Sequence, residues 1–308
     1  MRKPLLLVDA YSQIYRGYYA IRSLSTAEGV PTNALFAMAK LLLSLNGQYC
    51  HYDGAFVFDK GKCVKRLALL ESYKSNRPPM PEDLRSQIAP LRELICAFGW
   101  PIVECEGVEA DDLIGGIARN AEQEVLILSS DKDLSQLVTE KIRMLVPDKD
   151  GKGLILRDQE AVQAKFGVPP SGIVDYLALI GDASDNIPGV EGVGPKTAAD
   201  LIAEHTSIAA LYKDLSVVKR ESLRKKLALC ASQLELNRKL IALDEEVSCE
   251  GVDLLRKEPD WEKIREMAQT YELKSILKEL DKLSPGSGKE PLPGKKKEPE
   301  NTQMEFDF

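Results

Sequence analysis

Four short apolar runs, each leading to an acid, restrict this chain more than anything else in its sequence. Leu5-Leu6-Leu7-Val8 ends at Asp9, and Gly54-Ala55-Phe56-Val57-Phe58 ends at Asp59. Pro101-Ile102-Val103 leads to Glu109, and Val125-Leu126-Ile127-Leu128 leads through two serines to Asp131. Runs this short, without polar alternation, read as strands buried on both faces. Their alternation with helical stretches predicts an α/β domain with a mainly parallel sheet. Ligand sites in such sheets lie beyond the carboxyl ends of the strands, so the acids converge at one edge. The stretch from Glu109 to Asp133 is the densest, adding Asp111, Asp112 and Asp133. Carboxylates so close together raise one another's pKa unless something positive sits among them. Oxygen ligands suit magnesium and manganese. A solvated acidic surface is the commoner fate of a charge cluster, but acids placed after several strands favour a metal site.

Composition excludes other chemistries. The 308 residues suggest roughly two domains, and 44% hydrophobic residues supply a substantial core. A net charge of −7 argues against a generic polyanion binder unless metals neutralise the acids. The six cysteines form no C-x-x-C pair, and the two histidines, His51 and His205, lack ligand spacing. Zinc ribbons, redox pairs and histidine-base chemistry are therefore not expected, and the cysteines read as buried apolar residues of a reducing cytosol. Neither a signal peptide nor a membrane span is evident, so no membrane partner is expected.

Between the second and third runs, Lys60 to Gly99 begins as a basic segment with Lys60, Lys62, Lys65, Arg66, Lys74 and Arg77. Pro78-Pro79-Met80-Pro81 turns it into a helix over Glu82–Phe98. A solvated crossover and a cationic element gripping phosphates over the acids are both open readings; the length of the insertion tips toward the second. Asn33 opens a helix that Asn46-Gly47 should stop. A hairpin is expected from Arg143–Val146 and Leu154–Leu156, turning at Asp148-Lys149-Asp150-Gly151. After a helix over Ile173–Ile180, Asp182 and Asp185 precede the turn Gly189-Val190-Glu191-Gly192-Val193-Gly194-Pro195. Gly192 and Gly194 allow close backbone approach, and Pro195 suits a helix start. Such a turn points N–H groups at a phosphate, with Lys196 and Thr197 beside it. The basic stretch Lys219–Lys226 extends that grip or is a solvated helix face.

These residues together resemble the 5′-nuclease (flap endonuclease) family, most closely the bacterial 5′→3′ exonuclease domain of DNA polymerase I, over about residues 4 to 280. The resemblance rests on Leu-Val-Asp9, Val-Phe-Asp59, Tyr73-Lys74-Ser-Asn-Arg77-Pro, Gly107-Val-Glu109-Ala-Asp111-Asp112, Ser-Asp131-Lys-Asp133-Leu and Gly-Asp182-Ala-Ser-Asp185-Asn-Ile-Pro-Gly-Val. It implies a PIN-like sheet with a helical arch at about residues 60–99 and a C-terminal helix–three-turn–helix module that grips duplex DNA. It further implies that Asp9, Asp59, Glu109, Asp111, Asp112, Asp131, Asp133, Asp182 and Asp185 hold two or more Mg2+ or Mn2+ ions. By the same resemblance, Lys74 and Arg77 engage the scissile phosphate, Tyr73 stacks on a nucleotide, and Arg66, Gly192, Gly194, Lys196 and Thr197 contact DNA. A potassium ion at the glycine turn belongs to the same set of expectations. Departures at Ala10, Lys65 and Ser130 touch no ligand and bear on fine specificity.

The expected organisation is a nuclease domain over 1–168, a DNA-binding domain over 169–283 and a disordered tail over 284–308. No polymerase domain follows, so a stand-alone, monomeric enzyme of the bacterial cytoplasm (nucleoid) is expected. Its substrates would be DNA with a 5′ flap, nick or gap and the RNA primer of an RNA–DNA duplex. Gln303-Met304-Glu305-Phe306-Asp307-Phe308 is similar to peptides that dock on sliding clamps, an apolar end out of character with its tail. A PIN-type ribonuclease, which would be shorter and lack the glycine turn, a non-catalytic branched-DNA binder, which would lose acids, and a polymerase fragment with no independent life are the rival readings.

Overall fold

The computed structural model describes residues 2–148, 153–247, 249 and 251–283. Strand β1 (Leu5–Asp9) runs straight into helix α1 (Ala10–Ala20), because Asp9 caps it by accepting the Ser12 N–H at 3.1 Å. The tyrosine-rich stretch is therefore helical, not merely polar. Helix α2 (Asn33–Gln48), β2 (Asp53–Val57), the short α3 (Val64–Leu69) and α4 (Glu82–Ala97) follow, then β3 (Ile102–Val103), α5 (Ala110–Asn120) and β4 (Val125–Leu128). The expected stop at Asn46-Gly47 does not occur. The buried Tyr49 holds the chain in, its N–H still reaching the Leu45 carbonyl at 2.8 Å.

With β5 (Ile142–Pro147) and β6 (Leu154–Arg157) the sheet has the order β3-β2-β1-β4-β5-β6. The first five strands are parallel and β6 pairs antiparallel with β5, giving the expected hairpin, whose turn at 149–152 lies outside the described residues. Register does the positioning. Asp9 lies opposite Val57 and Val8 opposite Leu128, so β1, β2 and β4 end level and their following acids emerge at one edge. Leu6, Val8, Phe56 and Leu128 face one core; Leu7, Val57 and Ile127 face the other. No helix among the described residues is long and apolar enough to cross a membrane.

Two expectations need correction. The arch does not extend over 60–99. Leu84, Leu91, Leu94 and Ile95 of α4 are fully buried against α2, so only about residues 60–81 cross the acids. Nor does the second domain run as one unit to 283. Helices Trp261–Thr270 and Lys274–Leu283 return to the first half and pack on α4 and α2, burying Ile264, Met267 and Ile276 in the same core as Phe56 and Leu42. The apolar faces of α2 and α4 need cover, and the stretch before Trp261 is stitched on by Gly54 N–H to Leu254 O at 2.8 Å and Lys257 N–H to Gly99 O at 2.9 Å. The rest of the second half carries α6 (Gln159–Phe166), α7 (Ile173–Ile180), a small antiparallel pair β7 (Gly181–Asp182) and β8 (Ile187–Pro188), and α8 (Pro195–His205). Helices Glu221–Leu229 and Ala231–Ile241 pack beside them.

Candidate metal centre and nucleic-acid interface

The acids fall into three sets. Asp9, Asp59, Asp111 and Asp131 line a cavity of roughly 670 Å³ that Tyr15, Lys74 and Arg77 also border. Asp9 accepts the Ser129 hydroxyl at 2.7 Å, Asp59 accepts the Ala110 N–H at the start of α5 at 2.9 Å, and Asp131 accepts the Asp133 N–H at 2.8 Å. Among the described residues none of the four forms an ion pair within 4.0 Å. Burial pushes Asp9 up to about 7, against the Ser129 and Ser12 hydrogen bonds and with help from Asp59 and Asp131. Desolvation likewise raises Asp59, and it raises Asp111 well above the usual carboxylate range, with Asp131 and Asp9 adding to the effect.

Asp133, Asp182 and Asp185 make the second set, offering oxygens within 4.8 Å of one another. Here cations are already present. Lys132 donates to Asp182 at 2.7 Å, and Arg77 donates to Asp185 at 2.5 Å with Lys74 3.7 Å away. Burial opposes ionisation of Asp182, yet hydrogen bonds from Lys132 and Ser184 hold it below its ordinary value. Asp133 goes the other way, pushed by burial and then by Asp131 up to about 8. Its buried Oδ1 finds no hydrogen-bond donor. An orphaned carboxylate oxygen among oxygen-only donors fits a hard divalent cation. Both sets are suited to one.

The third set is Glu109 and Asp112, beside Cys63. Both acids are expected metal ligands, but Arg66 stands between them. Its guanidinium donates twice to Asp112, at 2.5 and 2.9 Å, and once to Glu109. Asp112 is fully buried and also accepts the Asp244 N–H at 2.8 Å. Asp112 is therefore committed to a structural clamp, and Glu109 is shared between Arg66 and Lys74. Arg66 is corrected in turn. Its side chain is 6% exposed and also donates to the Leu240 and Ala242 carbonyls, so it faces no groove where DNA could lie. Tyr73 is likewise buried, its hydroxyl against Glu109 and Asp185 and the Lys74 ammonium 5.0 Å over its ring, where a stacked base would have to lie. A basic run gives no hint of which cations pair inward.

Lys74 and Arg77 do reach the cavity. Residues 72–77 are docked on the 183–186 turn by Lys74 N–H to Asp185 O at 3.0 Å and Asn186 to the Ser72 carbonyl at 2.9 Å. At the glycine turn, Gly192 has φ +79 and is required by the backbone. Gly194 is not: its φ is −98, and an added Cβ would meet nothing within 4 Å. Pro195 opens α8 as expected, with Lys196 exposed beside it and Thr197 half-buried. Sequence reading missed Ser12, Ser129 and Lys132, although Ser129 and Lys132 sit inside the densest acidic motif. It also missed Gly181 and Gly189, where an added Cβ would lie 2.2–2.3 Å from backbone atoms of the tight β7–β8 crossing.

The comparisons with known proteins agree with this geometry. Residues 4–167 match the family described as 5′-3′ exonuclease, N-terminal resolvase-like domain, and residues 168–263 match 5′-3′ exonuclease, C-terminal SAM fold. A 5′-3′ exonuclease of Aquifex aeolicus is 39% identical over 91% of this chain and 96% of its own length. DNA polymerase I of Pseudomonas aeruginosa is 38% identical over 99% of this chain, which spans only 34% of that protein. Among solved structures, T5 5′-exonuclease with bound zinc superimposes with a TM-score of 0.65 at 22% identity, covering 91% of this chain and 97% of that one. The catalytic core of Rad2 with a DNA substrate gives 0.61 at 19%, covering 90% and 92%. These two share the fold: a PIN-like, resolvase-type sheet joined to a helical SAM-like module. With two matching domains in tandem and a full-length relative, the chain belongs to the 5′-3′ exonuclease family of metal-dependent nucleases.

Proposed function

We propose that the protein hydrolyses phosphodiester bonds at the junction of branched DNA, releasing 5′ flaps and digesting from nicks and gaps, with primer RNA as a further substrate. What supports this reading is the pairing of two adjacent carboxylate sets with two cations, Lys74 and Arg77, on one segment over the cavity. Asp9, Asp59, Asp111 and Asp131 would hold one Mg2+ (or Mn2+) ion and Asp133, Asp182 and Asp185 another. Such a pair supplies an activated water and neutralises charge on the attacking and leaving oxygens. The rest is the chain's own work. Lys74 and Arg77 exchange their acid partners for the scissile phosphate and stabilise its developing charge. Lys196 and the N–H groups at the start of α8 hold the duplex backbone, a potassium ion at the turn adding to that grip. Docking on a sliding clamp through Gln303–Phe308 concerns residues outside the described ones. A non-catalytic DNA binder would not keep four acids around a cavity and, beside them, a second acidic set with an orphaned carboxylate oxygen.

The test is cleavage of an end-labelled 5′-flap duplex by the full chain. Cutting near the junction in Mg2+, lost on chelation and restored by Mg2+, is expected. Binding without cutting in either Mg2+ or Mn2+ would refute the catalytic reading.

A further inference from the structure

Lys132 lies between Asp131, which lines the open cavity, and Asp133, which belongs to the second acidic set. Its backbone is helical at the mouth of the turn Asp133–Leu137, and its ammonium lies against the second set. The nitrogen is 2.7 Å from Asp182 Oδ2 and 3.8 Å from Asp133 Oδ1. The latter is the buried oxygen that finds no hydrogen-bond donor. The ammonium thus faces the two oxygens that a divalent ion in this set would need. The first set has no counterpart to it, because Asp9, Asp59, Asp111 and Asp131 have no ion pair among the described residues.

We propose that Lys132 is a resident counter-cation of the second metal site, its ammonium and a divalent ion being mutually exclusive at Asp182 and Asp133. This deepens the two-metal reading above and rests on it. An ammonium on a flexible four-carbon stem suits the role, since it is a compact point charge that can swing away. Lys132 is about a third exposed, with solvent on its far side to receive it. Two positive charges within a few ångströms repel. The first set, which has Lys74 and Arg77 at its border but no ion pair to break, therefore binds its ion more readily, while the second fills only when Lys132 withdraws. The nuclease then holds one ion tightly and one loosely before substrate arrives. A phosphate entering the cavity gives the displaced ammonium a new partner, so substrate and the second ion reinforce each other.

The experiment uses the full chain without nucleic acid and counts free Mn2+ by electron paramagnetic resonance during a titration. Wild type is expected to show one tight and one weak class. Lys132→Met, which removes the charge but keeps the length, should tighten the weak class on the order of tenfold, the factor that about 1.4 kcal/mol of removed repulsion makes. The tight class should be unchanged, and Lys132→Arg should bind like wild type. Equal weak-class affinity in wild type and Lys132→Met overturns the proposal, as does weaker binding in the variant. If Lys132→Met does not fold, Lys132→Gln is read by the same criteria. Wild type that binds no Mn2+ at all would instead sink the metal reading, so the two failures are distinguishable.

Discussion

The open acidic set and the cation-laced set stand side by side at one sheet edge and solve the same electrostatic problem in opposite ways. Burial raises the pKa values of Asp9, Asp59 and Asp111, their acidic neighbours add to the effect, and the charge of Lys74 offsets it only in part at Asp59 and Asp111. Asp182 has a lowered one because Lys132 and Ser184 hold its charge. Burial thus favours the protonated form of Asp9, Asp59 and Asp111, whereas Asp182 keeps its charge beside Lys132. The lesson is that a cluster of carboxylates is not one site but a partition, and the neighbouring cations draw the line. Asp133 sits on that line, chemically of the second set but with an unpartnered oxygen and a pKa raised to about 8.

The largest effect should come from emptying the open set. Asp111→Asn with Asp131→Asn should lower single-turnover flap cleavage by roughly a thousandfold or more while duplex affinity holds or rises. Cleavage within tenfold of wild type would show that the open set is not where chemistry is organised.

Next comes the clamp. Because Arg66 is buried with Asp112, Asp112→Ala removes its two-pronged partner and leaves the guanidinium Glu109 as its one acid, at a cost of roughly 3 kcal/mol. A fall in Tm on the order of 10 °C is expected, with the tight Mn2+ class retained. Loss of that class with unchanged Tm would return Asp112 to the metal ligands.

The third concerns pH in metal-free protein. A carboxyl with a raised folded pKa keeps its proton where the unfolded chain has lost it, so the folded state binds more protons and stability falls as pH rises. For Asp9 and Asp133 the window runs from about 4 to about 8. Metal-free Tm should drop on the order of 5 °C between pH 6 and 8.5, and Mg2+ should remove the slope. Asp182 has the opposite sign, its contribution vanishing only on acidification below the usual carboxylate range. A Tm that rose with pH would break the contrast.

The smallest effect is a difference of sign. In metal-free protein Asp111→Asn should raise Tm by about 2 °C by relieving repulsion, and Asp182→Asn should lower it by a similar amount by stranding Lys132. Calorimetry on the two variants decides it.

The sheet and the edge where the acids gather were legible because a parallel register turns strand ends into one address. The hairpin and the helix start at Pro195 were legible for equally local reasons. What was not legible is pairing at a distance. Nothing in Lys65-Arg66-Leu67 says that Arg66 bonds to Leu240 and Ala242, some 175 residues away. Tyr73 reads the same whether it stacks on a base or fills a core. The extent of the arch could have been read better. Leu84, Leu91, Leu94 and Ile95 recur at helical spacing, the signature of a helix with one buried face.

The return of Trp261–Leu283 to the first half has a consequence during synthesis. A ribosome delivers the chain from its N-terminus, and α2 and α4 emerge more than 160 residues before the helices that cover them. Until then the faces of α2 and α4 that Ile264, Met267 and Ile276 will cover stay open to water, where early closure would ordinarily protect a nascent domain. The nuclease half cannot finish folding on its own schedule. A nascent chain arrested before residue 261 should bind holdase chaperones and resist burial of α2, and release should come as one late, cooperative step.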